Sequence, residues 1–167
     1  MSATSSPGRY ATAAVVLSDR AAAGTRPDRC IPAARELLGE RFEIVHERVF
    51  PDEPAALQAE LIELADTRRI PLVLTFGGTG VGPRDRTPQA TAALLDYEVP
   101  GIAEAIRAAS LAITKTAMLS RALAGVRGTT LIVNLPGNPK AVGETLPVIL
   151  PALPHALDLL AGLTPDG

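Results

Sequence analysis

Residues 70–76, IPLVLTF, are apolar on both faces that a β-strand would present, and GGTGVG follows them at once. A strand with no polar side belongs between two layers of helices, as in parallel sheets. It therefore commits the chain to an α/β architecture. The glycines Gly77, Gly78, Gly80 and Gly82 mark a loop whose backbone takes positive φ and approaches other groups closely.

The rest of the chain repeats this alternation. Residues 10–18, YATAAVVLS, read as a short buried strand, and residues 42–50, FEIVHERVF, as a second, alternating one. Between them Asp28 is placed to cap a helix reaching Gly39, with Ile31, Ala34, Leu37 and Leu38 on one face. Residues 54–67 carry Leu57, Leu61, Ile62 and Leu64 at helical spacing. Further helices are expected from Thr87-Pro88 and over 101–113. Residues 117–125 and 129–135 flank VRG and read as a hairpin. A closing helix over 142–162 is expected to bend or restart at Pro147 or Pro151. The pattern predicts a three-layer α/β sandwich with a mostly parallel central sheet and one antiparallel hairpin.

Length and composition agree. A chain of 167 residues points to one domain, expected over 10–162 between a disordered polar tail at 1–9 and a short tail at 163–167. Aromatic residues make up only 3%, so the core must come from Ala, Val, Leu and Ile. A net charge of −2 gives no electrostatic reason to expect nucleic acid. No segment reaches the roughly 18 apolar residues of a membrane helix, and MSATSSPG lacks an apolar signal core. The single cysteine, Cys30, excludes an intrachain disulfide and fits a reducing cytoplasm.

The polar and glycine-rich loops all follow strands: Ser18-Asp19-Arg20, Pro51-Asp52-Glu53, the glycine loop and NLPGNPK. In an open α/β sheet the ligand crevice lies at that edge. The glycine loop lacks the Gly-Lys-Ser/Thr of a nucleotide P-loop, and Pro83 interrupts the dinucleotide fingerprint. Its N–H groups, with Thr79 and the following helix start, nevertheless suit an anion. Asp52 and Asp85 read either as helix caps or as ligands of Mg²⁺, which takes one or two carboxylates together with substrate phosphates. Lys140 reads equally as a solvated charge or a phosphate contact. Ser120 and Arg121 read as a strand residue and a surface charge. His46 and His155 lack metal-ligand spacing and read as surface residues.

GGTGVGPRDRTPQAT resembles the GGTG-x-x-x-RD-x-TP-x-A-T signature of the MogA/MoaB family of molybdenum-cofactor biosynthesis. LSDR, FPDE, AMLSRALAG and NLPGNPKAV match further blocks in the same order. The resemblance spans residues 10–162 and implies a molybdopterin-binding fold, a homotrimer and, in catalytic members, Mg²⁺-dependent adenylylation of molybdopterin by ATP. It implies essential carboxylates at Asp52 and Asp85, and carboxylates beside phosphates lead to the expectation that both hold or orient Mg²⁺. It implies contacts to pterin or phosphate from Gly77, Gly78, Thr79, Gly80, Ser120, Pro136, Gly137 and Asn138, with Ser18 and Asp19 lining the same pocket. A molybdate-insertion protein is an implied partner. A MoaB-type relative that binds molybdopterin without efficient turnover is the alternative, and the intact Arg84-Asp85 pair favours the enzyme. Members often carry Ser where this chain has Ala21–Ala23, and a small residue near Cys30.

Overall fold

The computed structural model describes residues 8–163. The expected tails at 1–9 and 163–167 fall, apart from residues 8, 9 and 163, outside the described residues. The strands are β1 (Tyr10–Leu17), β2 (Phe42–Phe50), β3 (Leu72–Phe76), β4 (Tyr97–Glu98), β5 (Ala124–Arg127) and β6 (Thr130–Leu135). They form one sheet in the order β2-β1-β3-β6-β5-β4. The pairings β1–β2, β1–β3 and β3–β6 are parallel, whereas β5 is antiparallel to both β6 and β4.

Period-two side-chain alternation sorts the core into two layers. Ala14 and Val16 of β1, Leu72, Leu74 and Phe76 of β3, and Leu131, Val133 and Leu135 of β6 face one side. There they meet α2 (Cys30–Leu38), α5 (Pro100–Leu111), α6 (Pro139–Ile149) and α7 (Leu153–Leu160). Ala13, Val15 and Leu17, with Val73 and Ile132, face the other side. There they meet α3 (Pro54–Ile62), its π-turn continuation at Glu63–Thr67, and α4 (Thr87–Ala92). Each fully buried Leu contributes about 1.5–3 kcal/mol relative to exposure, so the two aliphatic layers carry the sandwich without Trp.

The expected elements recur with physical corrections. Asp28 does cap α2, its two carboxylate oxygens accepting from the N–H groups of Cys30 and Ile31. Ile62 points outward, because α3 buries only Leu57 and Leu61 before Leu64 and Ala65 of the π turn. The closing helix restarts at Pro151, with a 3₁₀ turn at Leu150–Ala152, while Pro147 sits within α6. The hairpin is shorter than expected: Lys115–Leu119 form a 3₁₀ turn and β5 begins only at Ala124. Met118 and Leu119 are both exposed, so that stretch lacks strand alternation. The two-residue β4 is too short to leave a periodic signal. No helix among the described residues is long and apolar enough to cross a membrane.

One polar group interrupts the apolar layers. Asn134 of β6 is buried and donates to the Thr75 hydroxyl at 2.9 Å and the Thr91 hydroxyl at 3.1 Å, and it accepts from the Leu123 N–H at 3.3 Å. The Thr91 hydroxyl in turn donates to Thr87 O. This network ties β3, β6 and α4 together directly beneath the glycine loop. Replacing Asn134 by Leu removes three hydrogen bonds and leaves the Thr75 hydroxyl and the Leu123 N–H without their partner, each costing about 1–3 kcal/mol. We expect urea denaturation of Asn134→Leu to show at least about 2 kcal/mol lost at unchanged m-value. A loss below about 0.5 kcal/mol would remove the network from the account.

Candidate functional site

The parallel register brings Val16, Phe76 and Leu135 side by side, so the loops after β1, β3 and β6 emerge together. They emerge in contact. A Cβ on Gly77 would lie 2.3 Å from Leu17 O, and one on Gly137 would lie 2.9 Å from the Gly77 Cα. Gly77 also has φ 101°, and its N–H donates to Leu135 O at 3.0 Å. Gly78, at φ 67°, leaves no room beside the Thr87 hydroxyl. The glycines are thus required by backbone packing as well as by any ligand.

Charge joins the loops after β1, β2 and β3. The Asp19 N–H donates to Asp52 Oδ2 at 3.2 Å, and the Asp52 N–H donates to Asp19 Oδ1 at 2.9 Å. Arg84 grips Asp19 with two bonds, Nε to Oδ2 at 2.8 Å and Nη2 to Oδ1 at 2.7 Å. It also reaches Glu53 at 3.4 Å. The hydrogen bond from Arg84 holds the Asp19 carboxyl below its ordinary range. Burial pushes Asp52 up, and the neighbouring charges of Asp19 and Asp85 add to that rise against the opposing Asp19 N–H and Arg84.

Neither aspartate caps the helix that follows it. The residues preceding α3 and α4, Glu53 and Arg86, make no side-chain cap bond. Asp85 Oδ2 instead accepts from the Gly82 N–H at 2.9 Å and closes the glycine loop on itself. Nor does α4 offer its N-terminus to an anion as expected: it is six residues long, and the Thr87 N–H is spent on Gly78 O at 3.1 Å. The N–H groups of Gly78, Thr79 and Gly80 have no partner among the described residues. They are the part of the loop that can receive an anion.

Thr79, Gly80, Ser120, Pro136 and Asn138 line a single cavity of about 250 Å³, with α5 and α6 as its other walls. Asp85 lies on an adjoining open groove of about 410 Å³ with Val81, Gly82 and Arg121. Ser18 and Gly137 line a small cavity of about 50 Å³ beside Cys30. Ser18 caps the short helix α1 (Asp19–Ala22), its hydroxyl accepting from the Ala21 N–H. Asn138 caps α6 by accepting from the Ala141 N–H at 2.8 Å. The Cys30 thiol is buried and pushed up to about 11, chiefly by desolvation, so it is inert. A larger groove, between α2 and the edge strand β2, is lined by none of the loop residues but shares Asp28 with the cavity beside Cys30.

Arg121 was expected to be a surface charge in a strand. Its N–H donates to Thr79 O at 2.8 Å, its Nε to Gly80 O at 2.7 Å and its Nη2 to Asp85 O at 2.5 Å. Those bonds draw the chain toward the glycine loop and away from β6. The sequence carried no positional signal for this beyond its place in the LSR block. His46 also departs from expectation. It is half-buried, accepting from Arg68 at Nδ1 and hydrogen-bonded to Glu60 through Nε2. Lys140 is exposed and reaches Glu144 at 3.8 Å.

No group of three His, Cys, Asp or Glu that could hold a metal ion by itself occurs among the described residues. The donor set is all oxygen: Asp52, raised by burial and by like charges, and Asp85 within electrostatic range of it. That set fits a hard cation completed by ligand oxygens, the usual mode of Mg²⁺, and does not fit a protein-only cage.

Residues 13–155 match the family described as a probable molybdopterin binding domain. The molybdopterin adenylyltransferase of Escherichia coli strain K12 is 46% identical over 135 residues, covering 79% of this chain and 69% of that protein. The molybdopterin adenylyltransferase of Helicobacter pylori strain J99 is 40% identical over 148 residues, covering 87% and 84%. The crystal structure of the molybdopterin biosynthesis enzyme MoaB from Thermus thermophilus superposes with a TM-score of 0.87 at 49% identity, covering 92% and 97%.

The site's electrostatics are testable directly. Asp19, held low, contributes stability above its unfolded value that is lost as pH falls through the folded one. Asp52, held high, has the opposite sign: its penalty at neutral pH is relieved as pH falls through its folded value. Arg84 lowers both. We expect NMR titration of the two carboxyls to place Asp19 below and Asp52 above ordinary aspartate, and Arg84→Gln to move both upward. An unmoved Asp19 would contradict the geometry. Backbone packing gives a second test. Gly77→Ala should lose several kcal/mol, whereas Gly101→Ala, with open space around it, should be neutral or gain up to about 1 kcal/mol. Equal effects in thermal denaturation would refute the close approach.

Proposed function

The chain belongs to the molybdopterin-binding domain family, and from that premise we propose that it is a molybdopterin adenylyltransferase of molybdenum cofactor biosynthesis. In this reading residues 10–162 form one domain. The terminal phosphate of molybdopterin attacks the α-phosphate of ATP, a new P–O bond forms, and the bond to the β-phosphate breaks to release pyrophosphate. The observation that carries it is the meeting of two carboxylates with three N–H groups that have no partner among the described residues, on one rim of the sheet.

Two polyanions must be brought together, so the site's task is neutralisation and alignment. The N–H groups of Gly78, Thr79 and Gly80 receive phosphate oxygens without buried lysines. Arg121 holds Gly80 O and Asp85 O and so fixes both the cradle and the carboxylate against the cavity. Asp19 and Arg84 lock the Asp52 loop in place. Asp52 and Asp85 would hold Mg²⁺, which when bound offsets charge on the phosphates and explains two acidic residues beside an anion site. Ser18, Ser120, Pro136, Gly137 and Asn138 shape the walls. Ile113, Met118 and Leu119, apolar and exposed on the segment that walls the cavity, form the face we assign to a homotrimer contact.

Asp85→Asn tests the reading. Asparagine keeps an oxygen for the Gly82 N–H, so the loop survives while the charge is lost. Turnover of ATP and molybdopterin to adenylyl-molybdopterin should fall about a hundredfold or more, with molybdopterin binding within about twofold of the parent. Unchanged turnover would remove Asp85 from catalysis. A parent protein that binds molybdopterin tightly but forms no adenylate would favour the MoaB-type binding role.

A further inference from the structure

The 250 Å³ cavity beside Thr79 and Gly80 has two ionisable lining residues, Arg107 and Glu144. Arg107 is committed to the fold, its Nη1 donating to Ala122 O at 2.7 Å and to Ser120 O at 3.4 Å. Glu144, on α6, is different. Its side chain is about a quarter exposed, and its carboxylate faces only Lys140 among the described residues, at 3.8 Å through one oxygen, while the Lys140 side chain is 84% exposed. A carboxylate has roughly four acceptor positions, and this one makes no direct hydrogen bond among the described residues. The adjacent Thr145 hydroxyl is spent on Ala141 O. Ile106, Ala117 and Ala122 supply apolar surface in the same cavity. A half-buried acceptor beside apolar walls is an arrangement for a flat, edge-donating heterocycle.

We propose that Glu144 reads the pterin: its two carboxylate oxygens accept from the ring N3–H and the 2-amino group of the aminopyrimidinone edge. The inference rests on the adenylyltransferase reading and adds which ring the cavity takes. Adenine cannot replace the pterin there. Its amino donor stands beside a ring nitrogen acceptor, which a carboxylate oxygen would repel. The pterin edge offers two parallel donors that match a carboxylate as a bidentate pair. With the ring at Glu144, the phosphate arm is left to the N–H groups of Thr79 and Gly80, which line the same cavity.

The test compares two soluble probes, pterin-6-carboxylate and lumazine-6-carboxylate, with ATP as a third ligand, each titrated by calorimetry. Lumazine presents an oxygen where pterin has the 2-amino group. The parent should prefer pterin by roughly tenfold or more, the discrimination expected when a charged hydrogen bond is at stake. Glu144→Gln, whose amide offers one donor and one acceptor, should abolish or invert that preference and leave ATP affinity within about twofold. A preserved preference for pterin in Glu144→Gln overturns the assignment. So does loss of ATP affinity with pterin affinity intact, which would give the cavity to the nucleotide. Because the readout is a ratio within one variant, reduced folding does not mimic it. A parent that binds neither the pterin probe nor molybdopterin instead defeats the adenylyltransferase reading, a different failure from the one that condemns Glu144.

Discussion

The site depends on a backbone contact that no side chain can enter. At the carboxyl ends of β1, β3 and β6, the Leu17 carbonyl, Gly77 and Gly137 touch, and a methyl group at either glycine would collide with backbone. Three parallel strands end flush because their register sets Val16, Phe76 and Leu135 abreast. That alignment is held by aliphatic packing on both faces of the sheet. Core burial, strand register and glycine placement therefore act in series, each required by the next, to deliver three loops to one rim.

Electrostatics then distributes roles among the carboxylates. Asp19 is saturated by Arg84 and by the Asp52 N–H, so it serves to brace two loops. Asp52 is partly buried among like charges and held at a cost that a cation would relieve. Asp85 closes the loop through Gly82 and keeps its second oxygen free of any partner among the described residues. Arg121 transmits that order by holding carbonyls of the same loop, while the N–H groups of Gly78, Thr79 and Gly80 keep no partner among the described residues.

The architecture was legible because its signals are local. The two-sided apolar run before Gly77 announced a parallel sheet, and the 42–50 strand matched its observed bounds. Asp28 declared its helix by standing two and three residues before the N–H groups it receives. What stayed hidden were properties made by distant partners. Arg121 became a clamp only because Thr79 O and Gly80 O came to it, and the run 117–123 then could not continue a strand. His46 became half-buried because Glu60 and Arg68 close over it. Asp52 and Asp85 resembled helix caps in sequence, and only the fold showed their oxygens turned to Asp19 and Gly82. The ordered motifs compensated for that blindness where spacing alone reached no further than an anion site.

The most direct measurement is a single-turnover reaction of the parent protein with molybdopterin, Mg²⁺ and ATP labelled at the α-phosphate, followed by anaerobic chromatography of the products. The account predicts label in adenylyl-molybdopterin and stoichiometric pyrophosphate, with no label transferred when molybdopterin is omitted. Release of inorganic phosphate instead of pyrophosphate, or no labelled pterin with both substrates bound, would contradict it.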